Sequence, residues 1–246
     1  MQIIPAFVTQ NKCYQAGAPL TPRGIMLHSV GTPQPSAAVF ARSFNQYQPG
    51  GVSVCVHAFA QADGTVYQTL PWEMRGWHCG GSANSTHIGV EMTEPSAGMT
   101  RSEAAEQIAG TYRTVVELFA ELCKQYELDP AQDGVIIGHA EGHRRGVASN
   151  HADPELLWRT YDMGYTMDGF RRDVAEAMKN GAREEALDMP RYDSVAEMPQ
   201  WARADAQRLI DRGALQGNTD GKLDVSEDML RTMIVCQRML DEQKET

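Results

Sequence analysis

Two short apolar runs in this sequence each end in a histidine. Ile25-Met26-Leu27 leads into His28, and Val135-Ile136-Ile137-Gly138 leads into His139. After the second run comes a polar, glycine-punctuated stretch, 138–154, which reads as a loop and closes on Asp153-Pro154. Histidines at the ends of buried strands, with a carboxylate returning on a loop, can hold zinc with one coordination position left open. His28, His139 and Asp153 are therefore candidate ligands of a three-residue metal site. Plainer readings exist: either histidine fits a hydrogen-bonded structural role, and Asp153 before Pro154 suits a helix N-cap. The context shared by the two histidines, an apolar strand before and a glycine-containing turn after, weights the metal reading.

Glu91 sits in the run Ile88-Gly89-Val90-Glu91. A carboxylate in such a strand tends to be desolvated, which raises its pKa and suits general acid or base work. On an edge strand it would instead face solvent. Trp77-His78-Cys79-Gly80 reads as the wall of a substrate groove, with Trp77 as an apolar surface and His78 as a polar contact. His57 is grouped with them, although its strand context alone suits packing or support behind the site. His143, beside Arg144 and Arg145, is expected at an exposed loop tip. Asn84-Ser85-Thr86 matches a glycosylation acceptor, a match without content in a chain that shows no secretory signal. Asn218-Thr219-Asp220-Gly221 fails as a calcium loop, because the glycine comes too early and Met229 stands where a bidentate Glu belongs.

These residues need elements to place them. Pro35–Tyr47 has an amphipathic helical pattern with Val39, Phe40 and Phe44 on one side, ended by Pro49-Gly50-Gly51. Val52–Ala60 alternates as a strand, Asp63-Gly64 turns it into a second strand, Thr65–Leu70, and His87–Met92 forms another. Thr100-Arg101-Ser102-Glu103 has capping-box spacing and opens a long helix with the stripe Ile108, Tyr112, Val115, Phe119, Leu122 and Tyr126. Helical segments run from Pro154 to Lys179, with Asn180-Gly181 as a stop signal. The expected fold class is α/β, a mixed central β-sheet flanked by helices.

The chain has 246 residues, 42% hydrophobic and 22% charged, which suits a globular domain plus a small second one. A net charge of −10 disfavours nucleic acid as a partner, since phosphate binding needs a basic surface. It also disfavours simple adhesion to an anionic wall. The five cysteines are scattered, odd in number and free of any CxxC pair, which argues against a disulfide framework. No run is long enough to span a membrane, and Met1-Gln2-Ile3-Ile4-Pro5 lacks the basic and apolar regions of a signal peptide. The expected location is therefore the cytoplasm until release.

Taken together, Gly24–Ser29, Val54–Phe59 with the Asp63–Tyr67 hairpin, Trp77–Gly80, Ile88–Glu91, Gly138-His139 and His151-Ala152-Asp153-Pro154 resemble a known family. It is the zinc-dependent N-acetylmuramoyl-L-alanine amidases of type 2, in the peptidoglycan-recognition-protein superfamily. The resemblance covers roughly residues 20–180, the span of one domain. It implies zinc held by His28, His139 and Asp153, and a catalytic carboxylate at Glu91. Bacterial peptidoglycan is the implied substrate, cut between N-acetylmuramic acid and the first L-alanine of the stem peptide by a zinc-activated water. Two departures stand out. The family often has Lys two residues before the last ligand, where this chain has His151, a hydrogen-bond donor without permanent charge. Glu155 follows the Asp-Pro in place of the usual Gly, which would alter the groove floor.

The sequence divides into a catalytic domain over 1–180, a charged linker over 181–199 and a small helical module over 200–246. Residues 192–240 resemble a single diverged S-layer-homology-like module, of the kind that accompanies phage endolysins. Wall binding, homodimerisation and packing on the catalytic domain are all open to it. The implied function is a phage endolysin stored in the cytoplasm and released at lysis. The alternatives are a protein that binds muropeptides without cutting them, and a host autolysin or recycling amidase.

Overall fold

A computed structural model describes residues 1–46, 54–188 and 190–242. Two compact units emerge, Met1–Asn180 and Gly181–Thr246. In chain order the first contains β1 (Gln2–Pro5), α1 (Lys12–Ala16), β2 (Gly24–Ser29), α2 (Ala37–Phe44), β3 (Ala58–Ala60), β4 (Thr65–Gln68), β5 (His87–Met92), α3 (Arg101–Gln125), β6 (Ile136–Gly138), α4 (His139–Arg144), α5 (Glu155–Thr160) and the start of α6 (Met167–Asp188). The strands form one sheet in the order β1-β4-β3-β5-β2-β6. Every pairing in it is parallel except β3 with β4, which the Asp63-Gly64 turn joins as an antiparallel hairpin. The class is mixed α/β, as the sequence implies.

The central strands are apolar on both faces because both faces are covered. Ile25 and Leu27 of β2 and Ile88, Val90 and Met92 of β5 pack with Ile108, Val115 and Phe119 of α3 and Phe170 and Val174 of α6. Met26 points the other way, into a small cluster with Ile137, Cys79 and Ala83. Alternation along β2 and β5 therefore puts His28 and Glu91 on the face away from α3. The capping box at Thr100 and Glu103 is present, and the stripe from Ile108 to Leu122 is buried.

Several elements differ from the sequence expectation. The strand expected over Val52–Ala60 is confined to Ala58–Ala60; Val54 is exposed and Cys55 makes only an isolated bridge to Trp77. Val52, Ser53, Tyr47 and Pro49-Gly50-Gly51 lie outside the described residues. The stretch after Gly138 is not a loop throughout, since His139–Arg144 is helical. Gly142 there is a packing residue: a Cβ on it would come within 2.9 Å of Met26 Cε and 3.0 Å of Ala148 Cβ. The edge strand β1 escaped sequence reading, being only four residues long, and Pro5 is tolerated at its end because on an edge strand its nitrogen faces away from β4, the next bond to Gln68 O coming from Ala6 N.

Asn180-Gly181 does not stop α6, which continues to Asp188. Residues 182–187, Ala-Arg-Glu-Glu-Ala-Leu, are all good helix formers and outweigh one glycine. Within the span 181–199, residues 181–188 are therefore helical and Arg191–Tyr192 is a short strand.

The second unit adds β7 (Arg191–Tyr192), α7 (Gln200–Asp211), β8 (Val225–Ser226) and α8 (Glu227–Glu242). β7 and β8 pair antiparallel. Met198, Ala202, Ala206, Leu209, Leu215, Val225, Leu230 and Ile234 form a core of this unit's own. Asn218 closes the intervening turn, its Oδ1 accepting from the backbone of Asp220 at 3.0 Å and Lys222 at 3.1 Å.

Candidate metal centre and active site

The carboxyl ends of β5, β2 and β6 lie side by side, the usual place for a ligand in a parallel sheet. His28 near the end of β2 is in register with Glu91 of β5, and Leu27 with Gly138 of β6. His139, the next residue, therefore arrives beside His28. Their Nδ1 atoms are 3.0 Å apart. Asp153 completes the group: one carboxylate oxygen is 3.3 Å from His28 Nδ1 and the other 3.5 Å from His139 Nδ1. The alternative of Asp153 as a helix cap is not what the fold uses, because Pro154 is the N-cap residue of α5 and no side chain caps that helix. Asp153 instead accepts from Ser29 N at 3.3 Å and faces the histidines.

The outer nitrogens of both rings are tied down. His139 Nε2 meets Ser149 Oγ at 3.2 Å, and the Ser149 hydroxyl donates to the Cys79 carbonyl at 3.0 Å. His28 Nε2 meets His78 Nδ1 at 3.0 Å. Two inward nitrogens and a carboxylate, three electron-pair donors this close, repel one another unless a proton or a cation lies among them. The donor set of two imidazoles and one carboxylate suits zinc. Both histidines are almost wholly buried, at 1% and 4% exposure, so their imidazoles are already desolvated and fixed. Burial lowers the His28 pKa against the opposing pull of Asp153, which favours the neutral form a metal needs. Burial would raise Asp153, but hydrogen bonding with His139 and His28 outweighs it and holds the carboxyl below the usual range.

Glu91 shares this floor. Its Oε2 is buried with no hydrogen-bond partner. Burial, reinforced by the negative charges of Asp153 and Glu94, pushes its carboxyl well above the ordinary range. A poorly solvated carboxylate beside three converging donors is equipped to take and return a proton.

The group opens into a cleft of about 790 Å³ whose lining includes Trp77, His78, Glu91, His151, Leu156 and Tyr161. Trp77 and His78 thus stand on its wall, where the sequence puts them. His57 does not: it is fully buried, lies behind the wall, receives the Gly89 N–H on Nδ1 at 2.9 Å and meets the Met74 carbonyl through Nε2 at 2.7 Å. Its pKa falls to about 4 because of that burial. His57 is thus not among the residues that line the cleft, where the sequence grouped it with Trp77 and His78. His151 is exposed in the cleft, with Nδ1 held at 3.0 Å from Ser149 Oγ. Glu155 is not part of the cleft lining. Its carboxylate turns under the chain instead, 3.3 Å from where a Cβ on Gly138 would stand. His143 is exposed as expected, on α4 instead of a loop tip.

Two site residues carry no signal in the sequence. Ser149 braces both His139 and His151. Asn84, read there only as an empty glycosylation motif, accepts from His78 N at 2.9 Å and Cys79 N at 3.0 Å and so fixes the turn that carries His78. Neither contact is local enough to be read from spacing.

Comparison with known proteins agrees with this fold. The crystal structure of the Staphylococcus aureus hydrolase AmiA with its ligand is similar at 21% identity, covering 75% of this chain and 86% of that one with a TM-score of 0.59. The catalytic domain of XlyA is similar at 22% identity, over 71% of this chain and 99% of that one, TM-score 0.52. A mutant endolysin from Bacillus subtilis gives 20% identity, 71% and 99% coverage and a TM-score of 0.51. At these identities the likeness is one of fold. No curated protein sequence matches the chain. The family described as N-acetylmuramoyl-L-alanine amidase matches residues 18–156, more than half of the chain and including His28, Glu91, His139 and Asp153, and the chain belongs to that family.

Proposed function

We propose that this chain is a zinc-dependent peptidoglycan hydrolase that cleaves the amide between N-acetylmuramic acid and L-alanine. The observation that carries the reading is the convergence of His28 Nδ1, His139 Nδ1 and the Asp153 carboxylate beside Glu91 on the floor of one cleft. Those three residues would hold the ion. When bound, zinc supplies Lewis acidity, which polarises a carbonyl and makes water more acidic. Glu91 accepts the proton of the attacking water and returns it to the leaving alanine amine. His151, whose Nδ1 donates to Ser149, turns Nε2 to the cleft and, as the doubly protonated imidazolium, donates to the oxygen of the tetrahedral intermediate. Trp77 offers an apolar face to the substrate.

Digestion of purified wall should release new L-alanine amino termini and no new reducing sugar ends. Reducing ends without amino termini would refute the amidase reading. Binding of muropeptides without any cleavage would favour a recognition protein. His151→Ala should keep stoichiometric zinc and thermal stability while lowering kcat about a hundredfold, as for loss of one oxyanion donor. Loss of zinc in that variant, with zinc retained on changing Asp153, would exchange the roles of the two residues.

The same proposal makes the protein a phage endolysin held in the cytoplasm until lysis. It assigns 1–180 to catalysis and 200–246, which resembles an S-layer-homology module, to wall attachment. Among the described residues no helix is long and apolar enough to cross a membrane. In the second unit Trp201 is 43% exposed beneath the guanidinium of Arg231, 4.8 Å from its ring centre, a surface suited to stacking against a ligand. Co-sedimentation of residues 190–246 with wall tests the attachment, and a concentration-dependent dimer that ignores wall would replace it.

A further inference from the structure

His78 lies between the metal group and the backbone, and its geometry has a direction. Its Nε2 is 3.1 Å from the His87 carbonyl, which can only accept, so the proton of His78 sits on Nε2. Its Nδ1 is then an acceptor, 3.0 Å from His28 Nε2. That places a His28 proton on Nε2 and, in the neutral ring that a metal binds, leaves the Nδ1 lone pair facing His139 and Asp153. The two rings stand edge to face at a centroid distance of 5.1 Å, so His28 cannot rotate without losing the contact.

The fold makes room for this arrangement. A Cβ on Gly89 would come within 2.5 Å of His78 Cγ and 2.7 Å of its Nδ1. On the neighbouring side, a Cβ on Gly76 would come within 3.0 Å of His78 Cδ2. From behind, Asn84 holds the His78 backbone. The His78 ring thus occupies a slot that two glycines keep open and that a third residue aligns.

Resting on the zinc reading above, we propose that His78 is a positioning residue: it selects the tautomer of His28 and turns the lone pair of Nδ1 onto the cation. This gives it a function separate from contact with substrate. A ligand histidine that loses such a partner typically loses 10–100-fold in metal affinity.

Zinc titration against a chelating dye tests this on the full chain without substrate, with the cobalt(II) absorption spectrum and the melting temperature of the metal-free protein as companions. His78→Leu removes the acceptor and should weaken zinc binding by about 10–100-fold. His78→Asn keeps an acceptor near the place of Nδ1 and should recover most of the affinity. Gly89→Ala leaves His78 in the chain but displaces its ring, and should weaken zinc as the Leu variant does. Cobalt bands should shift in the Leu and Ala variants and return in the Asn variant. Wild-type affinity in His78→Leu or Gly89→Ala overturns the inference. Equal losses in the Leu and Asn variants, with a matching fall in the metal-free melting temperature, overturn it in favour of a structural role. Should the wild-type chain itself bind no zinc, the metal reading fails and takes the inference with it; wild-type binding with no response to His78 sinks the inference alone.

Discussion

Asp153→Ala should abolish stoichiometric zinc binding and reduce amidase activity to background. The substitution removes one of the three proposed ligands, so the affinity loss should exceed the roughly hundredfold that a missing supporting partner costs. It also leaves His28 and His139 buried with Nδ1 atoms 3.0 Å apart and no carboxylate between them. Stability of the metal-free chain should fall as well. The Asp153 carboxyl is held below the usual range in the fold, so it contributes stability that is present above the unfolded pKa of about 3.9 and lost as pH falls through the folded value. The variant should therefore melt lower than wild type at neutral pH, with the gap closing under strong acid. Wild type should gain about 2.7 kcal/mol from zinc at a hundred times its Kd. At about 2–4 °C per kcal/mol for a chain of this size, calorimetry with and without zinc reads that directly. Asp153→Ala should show no such gain.

Glu91→Gln should separate stability from activity. Loss of the proton acceptor should cost about 10²–10⁴ in kcat, with zinc retained. Metal-free stability at neutral pH should move the other way. A carboxyl whose folded pKa is raised favours the fold fully below the unfolded value of about 4.3, and that contribution is lost as pH rises through the folded value. At neutral pH wild type therefore carries a cost that the isosteric amide avoids, and the variant should melt higher; below pH of about 4 the two should converge. A variant with normal turnover, or one that melts lower at neutral pH, would remove Glu91 from the proposed role.

The parts of this site that were legible in the sequence are those built from continuous apolar strands. β5 is buried on both faces, so His87–Met92 stands out as a run, and its end places Glu91. The same holds for His28 and His139 at the ends of β2 and β6. What was not legible depends on neighbours far along the chain. α4 looks like a loop because Gly142 reads as a breaker, yet the helix is anchored by Glu141, whose carboxylate meets Arg171 at 2.9 Å from α6, and by close packing on Met26. His57 and His78 look equivalent as histidines near apolar residues. Only folding reveals that Gly89 donates to one and lies beneath the other, so that one supports and the other reaches the cleft. In the second unit the turn at Asn218 was legible from its side chain, whereas two-residue strands such as β7 and β8 have no period to read.

Anomalous diffraction at the zinc edge, from crystals of the zinc-loaded full chain, tests the central claim most directly. One peak is expected within about 2.0–2.2 Å of His28 Nδ1, His139 Nδ1 and a single Asp153 oxygen. A peak ligated by His78 or His151 in place of any of these, or no peak at this group, would contradict it.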